Sequence, residues 1–165
     1  MSESPYTAAL GRVTWQMFVT LTLRRSEESR KRLEARFFCW MDRTSRLCGV
    51  HRRAVLWCRR AELGEQTGRL HFHCLIGNLP KGCVTQRLCW DYCNLWESLG
   101  GGIARARAFD AESEGPQYLL KALSKADVYE SSKFGGKADL MLSESLVEMV
   151  TTGRTGQRGP WAVRR

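Results

Sequence analysis

Two of the three histidines lie in one short apolar run, GRLHFHCLI at residues 68–76. In a β-strand, side chains i and i+2 point the same way, so His71 and His73 stand side by side while Phe72 faces the other side. Neighbouring imidazoles make a natural pair of metal ligands. A second β-rich run, RAVLWCRRAEL at 53–63, precedes them across the Gly-bearing stretch GEQTG. A hairpin closed by residues 65–68 sets Glu62 opposite His71, with Cβ atoms about 4.5–5.5 Å apart. A carboxylate then joins the two imidazoles on one face. Such a set, with positions left open, suits a catalytic divalent ion better than a closed structural zinc. Magnesium and manganese both fit, and the mixed nitrogen and oxygen donors favour manganese. A slip of the register substitutes Glu65 for Glu62 as the third ligand.

The run YLLKALSK at 118–125 carries the second set of reactive groups. Tyr118, Lys121 and Lys125 are spaced i, i+3, i+7 and share one helix face. A tyrosine hydroxyl, with its free pKa near 10, is a poor nucleophile. Nearby ammonium groups stabilise the phenolate and the charge that develops on a phosphate. A metal at the histidine pair can polarise a scissile phosphate. Together these parts describe phosphodiester transesterification onto a tyrosine.

The surrounding pattern supplies elements to position these groups. MFVTLTL at 17–23 is rich in β-formers and predicts a strand. Residues 26–49 open on a serine and acids, repeat Leu33, Phe37, Trp40, Met41 and Leu47 at helical spacing, and close at Gly49, which predicts a long amphipathic helix. The hairpin follows. Leu88, Tyr92 and Leu95 predict a second helix ending at Gly100, and GIARARAF at 102–109 predicts a strand. Ser113 and Pro116 open a third helix, and ADLMLSESLVEMV at 138–150 predicts a fourth. This order implies one α+β domain, an antiparallel sheet with helices largely on one face and the other face free to carry a site. Five of the tryptophans fall at core spacing, and Trp161 in the tail is placed for stacking on a base.

The 165 residues carry a net charge of +9, enough chain for a single core and enough charge to expect a polyanion. The charge is clustered. Residues 24–60 hold twelve Lys or Arg against four acids, and a basic tail from about residue 151 ends the chain. Arg52, Arg53, Arg59 and Arg60, beside the hairpin, are candidates to grip phosphates together with Lys125. The seven cysteines are odd in number with no C-x-x-C pair, which argues against a disulfide framework or zinc ribbon. No apolar run reaches membrane-spanning length and no basic leader with an apolar core opens the chain, so an intracellular protein without a membrane partner is expected.

Three segments resemble the HUH endonucleases, the rolling-circle replication initiators of small phages, plasmids and single-stranded DNA viruses. FVTLTL (18–23) is similar to the family's first strand motif, HFHCLI (71–76) to its His-hydrophobic-His metal motif, and YLLKALSK to its Tyr-x-x-Lys motif. The match spans about residues 13–127. The resemblance implies a five-stranded antiparallel sheet with flanking helices, the HUH or RNA-recognition-like palm. It implies His71 and His73 as metal ligands and Tyr118 as the nucleophile that becomes joined to the 5′ phosphate of nicked single-stranded DNA. Lys121 would assist the phosphate, and the third ligand would come from the neighbouring strand, where Glu62 lies. One tyrosine in the motif marks a single-tyrosine member. The substrate would be an origin in single-stranded form, either extended or presented as a hairpin. The chain contains no G-x-x-x-x-G-K-S/T loop, so a host helicase and polymerase are expected partners. A bacterial host implies the cytoplasm and a eukaryotic virus the nucleus. A transposase or relaxase shares the same chemistry, although relaxases carry three histidines in this motif. A non-catalytic single-stranded nucleic-acid-binding module is the alternative of another class, and it leaves the alignment of Glu62, His71, His73 and Tyr118 unexplained.

Overall fold

The computed structural model describes residues 10–24, 29–63, 68–112 and 139–152. Strand β1 (Trp15–Thr22) leads to helix α1 (Arg30–Leu47), a single 3-10 turn (Arg52–Ala54), strand β2 (Leu56–Leu63) and strand β3 (Leu70–Gly77). Helix α2 (Gln86–Ser98), strand β4 (Ala104–Ala108), strand β5 (Asp139–Leu142) and helix α3 (Glu144–Thr152) follow. The strands form one open sheet in the order β4-β1-β3-β2-β5, with every neighbouring pair antiparallel. The expected five-stranded α+β architecture is the one observed. The segment expected as the third helix, with Tyr118, Lys121 and Lys125, lies outside the described residues.

Strand alternation divides the sheet's side chains into two faces. On one face Met17, Val19, Leu21, Trp57, Ala61, Phe72, Cys74 and Ile76 pack against Leu33, Phe37, Trp40 and Met41 of α1 and Tyr92 and Trp96 of α2. The i, i+4, i+7, i+8 spacing on α1 is the apolar stripe that drives this docking. Trp40 Nε1 donates to the Tyr92 carbonyl (2.8 Å) and Trp96 Nε1 to that of Thr22 (2.9 Å), so neither buried indole is left unsatisfied. Gly101 permits the second contact, because a Cβ there would sit 2.2 Å from Trp96 Nε1. Trp90 departs from the core expectation. It is 61% exposed, on the outer side of α2.

The other face is half covered. The pairing of β1 with β3 shifts between Trp15 and Met17, so Trp15 lies on this second face although Met17 lies on the first. Trp15, Phe18, Leu56 and Leu75 pack there with Leu10, Val13 and, from α3, Leu146 and Met149. Helices therefore do not keep to one side, contrary to the sequence reading. The run 138–150 also divides, with Asp139–Leu142 forming a strand instead of the first turns of a helix. The reason is the open edge of β2, whose ladder groups need partners. Cys58 to Ala61 pair with Leu142 to Asp139. Ser143 then makes the corner. Its backbone N–H donates to the Trp57 carbonyl and its hydroxyl accepts from the Trp57 N–H, while its own carbonyl accepts from Leu146 and Val147 in the first turn of α3.

All seven cysteines are free thiols, and Cys58 and Cys74 are fully buried in the sheet. Burial pushes the Cys58 thiol up to about 12, so it acts as a small apolar group. Among the described residues, no helix is long and apolar enough to cross a membrane.

Candidate metal centre

The uncovered half of the second face holds Glu62, His71 and His73. The β2–β3 ladder pairs Glu62 with His71 and Arg60 with His73, and the β1–β3 ladder pairs Thr20 with His73 and Thr22 with His71. Directly paired residues share a face, so three adjacent strands deliver side chains to one spot. Glu62 Oε2 lies 3.9 Å from His71 Nε2 and 3.7 Å from His73 Nε2. The imidazole centroids are 4.8 Å apart with the rings nearly perpendicular.

Each imidazole is held by its other nitrogen. Thr20 Oγ1 is hydrogen-bonded to His73 Nδ1 at 3.1 Å, and His71 Nδ1 meets the Arg69 carbonyl at 3.4 Å. With the proton on Nδ1, each ring donates to that oxygen and keeps its Nε2 lone pair toward Glu62, the outer support that metal-binding histidines need. Phe18 stacks on His73 with centroids 5.8 Å apart and only 10° between the planes, which fixes the ring from the packed side. Burial, followed by the positive charges of His71 and Arg60, holds His73 down at about 4. His73 is therefore neutral at pH 7, the form that ligates.

Glu62 divides its two oxygens. While Oε2 faces the imidazoles, Oε1 lies 2.7 Å from Arg60 Nε, a charge pair whose geometry falls short of a hydrogen bond. The buried Oε1 thus keeps lone pairs for a cation. The ligand atoms of Glu62, His71 and His73 all lie within 4.8 Å of one another. Two ligands of one ion, each at about 2.0–2.2 Å, stand at most about 4.4 Å apart. Both Glu62–histidine separations are inside that limit, so the residues fit a single divalent ion.

The arginines expected to grip phosphates separate. Arg60 is on the site face, drawn onto Glu62. Arg59 points the opposite way and is fully buried. Its guanidinium makes a two-pronged ion pair with Glu34 (3.0 and 2.6 Å) and lies 4.5 Å from the Phe37 ring centroid and 4.2 Å from that of Phe72. An external phosphate cannot reach it, which corrects the sequence reading. Parity is the cause: Arg59 pairs with Cys74 on the helix-covered face. Arg52 and Arg53 are exposed on the turn before β2, at the far end of that strand from Glu62, and Arg53 Nε is 3.7 Å from Glu144. Thr20 and the β4 arginines Arg105 and Arg107 share the site face and were missed in the sequence. Their signal was the alternation in FVTLTL and ARARA, which becomes informative only once β1 is known to lie between β3 and β4.

An open antiparallel sheet with two histidines and a carboxylate on its uncovered half defines an α+β protein with a candidate divalent-metal centre. Residues 16–127, about two thirds of the chain, match the model of the replication-associated protein family typified by ORF2, and the chain belongs to that family. Membership gives it a role in replication initiation. No curated protein and no solved structure matches the chain significantly.

Proposed function

We propose that this chain is a single-tyrosine HUH endonuclease, which starts replication by nicking single-stranded DNA and later rejoins it. One observation carries the reading: Glu62, His71 and His73 converge on the uncovered half of the sheet, in a replication-associated protein whose matched region extends past Tyr118. A magnesium or manganese ion held by these three residues would polarise the scissile phosphate. Thr20 and the Arg69 carbonyl orient the imidazoles, and Arg60 adds positive charge beside an incoming phosphate. The Tyr118 oxygen attacks phosphorus and gives up its proton. The bond to the 3′ oxygen breaks, that oxygen takes up a proton, and a 5′-phosphotyrosine and a free 3′ hydroxyl result. Lys121 supports the charge on the phosphate, and Lys125 contacts the backbone. The reverse attack by a 3′ hydroxyl rejoins the strand. Host helicase and polymerase would extend the primer inside the cell.

The test is a denaturing gel after incubation with a pool of single-stranded oligonucleotides and Mn²⁺, with Tyr118→Phe alongside. The expected result is a detergent-stable DNA adduct in wild type only. An adduct that survives in Tyr118→Phe means that another tyrosine is the nucleophile. No adduct with any divalent metal overturns the enzymatic reading and leaves a binding module.

A further inference from the structure

Strand β4, ARARA at 104–108, has an internal division that its neighbours make meaningful. Ala104 and Ala106 pair with Leu21 and Val19 and pack on the helix-covered face. Arg105 and Arg107 pair with Thr20 and Phe18 and so point to the face of the metal cluster. Both arginines are accessible at the sheet edge, Arg105 exposed and Arg107 exposed over the Phe18 ring. The pairings align into continuous rungs across the sheet. One rung runs Arg105, Thr20, His73, Arg60, and the next runs Arg107, Phe18, Leu75, Cys58. Arg105 is therefore two strands from His73, about 10 Å between backbones. Only the short Thr20 side chain, itself bonded to His73, stands between them.

The second arginine is held in place. Its guanidinium carbon lies 5.3 Å from the Phe18 ring centroid, and Phe18 in turn stacks on His73. Arg107, Phe18 and His73 thus form a connected series that leads from the sheet edge to the cluster. A guanidinium is a planar fork that matches two phosphate oxygens at once, and it stays charged at any physiological pH. Edge strands also use charges simply to prevent sheet-to-sheet pairing. That role asks only for charge at the edge. It does not ask for two arginines on one face, in register with the cluster, one of them seated on a ring.

Resting on the nicking reading above, we propose that Arg105 and Arg107 form a phosphate-binding rail, which holds the backbone of single-stranded DNA as it crosses β1 toward Glu62, His71 and His73. The rail positions substrate and is separate from metal binding.

The experiment measures binding of a short labelled single-stranded DNA by fluorescence anisotropy across a salt series, with EDTA present so that no cleavage occurs. Each lost phosphate contact lowers the slope of log K against log salt by about 0.7. The Arg105→Ala/Arg107→Ala double variant is expected to lose about 1.4 from that slope and to bind roughly tenfold more weakly at moderate salt. The lysine double variant should restore the slope, because charge is retained. Mn²⁺ affinity, read by electron paramagnetic resonance, should be unchanged in both. Arg46→Ala, an exposed arginine paired with Asp42 on α1, should leave the slope alone. Arg105→Ala alone, expected to lose about 0.7, serves if the double variant does not fold. Wild type that binds with a slope these variants do not change overturns the rail and leaves edge protection as the role of the arginines. Wild type that does not bind single-stranded DNA overturns the nicking reading, and the rail with it.

Discussion

Glu62 stands directly opposite His71 in the β2–β3 ladder, and its Oε2 is shared between His71 and His73 at 3.9 and 3.7 Å. The carboxylate is thus the point where two neighbouring histidines become a three-ligand set. Without it, two neutral imidazoles and the Arg60 cation would offer a divalent ion little electrostatic attraction. Glu62→Gln keeps the shape and removes the charge. Mn²⁺ affinity, measured by titration calorimetry, should fall by roughly tenfold or more, in line with the loss of a charged oxygen ligand. Unchanged affinity would put Glu65 or another carboxylate in the site.

Thr20 acts on the metal only through His73. Its hydroxyl at 3.1 Å from Nδ1 fixes the ring so that Nε2 faces Glu62. Loss of such an outer hydrogen bond costs about 10–100-fold in metal affinity. Thr20→Val, which keeps the volume, should show that loss with little change in thermal stability, and Thr20→Ser should restore affinity. If Val and Ser variants bind Mn²⁺ equally, the hydroxyl has no positioning role.

Arg59 gives the opposite kind of result. It is a fully buried cation whose counter-charge is Glu34 of α1, and it is sandwiched by Phe37 and Phe72. Removing one partner of a buried pair strands the other and costs about 3–5 kcal/mol. Glu34→Gln should therefore lower stability to urea by an amount of this order. The single-stranded DNA binding of the folded fraction should stay at wild-type level. A stable Glu34→Gln variant with weakened DNA binding would reverse the assignment of Arg59 to the core.

How much of this was legible depends on sequence separation. The hairpin is local, and its short loop sets the register that brings Glu62 to His71, so that part of the cluster could be read directly. The same register also places Arg59 beside Cys74 and Arg60 beside His73, yet a cluster of like charges invites a single reading for both. Parity, not charge, separates them. Thr20, Arg105 and Arg107 depend on β1 pairing with β3 and β4, contacts between distant segments that alternation alone cannot specify. ADLML at 138–142 carries helix-forming residues, and Asp139–Leu142 becomes a strand because β2 offers an unpaired edge. Tertiary hydrogen bonding overrides local propensity there.

Acid should weaken the metal-free protein through His73. An unfolded histidine titrates near 6.5, whereas burial and the charges of His71 and Arg60 hold His73 at about 4 in the fold. Between these values the unfolded chain binds a proton that the native state refuses. The native form is therefore disfavoured progressively as pH falls from 6.5 toward 4, by something on the order of 2–3 kcal/mol over the whole window. Above 6.5 both states are neutral at this position and the contribution vanishes. Carboxylates also titrate near the lower end, so the comparison is wild type against His73→Gln, each unfolded by urea with a chelator present. The difference in stability between the two should change across the window in the direction that penalises wild type in acid. A pH-independent difference would mean that His73 titrates in the fold as it does in the unfolded chain, and that it does not enter the site already neutral.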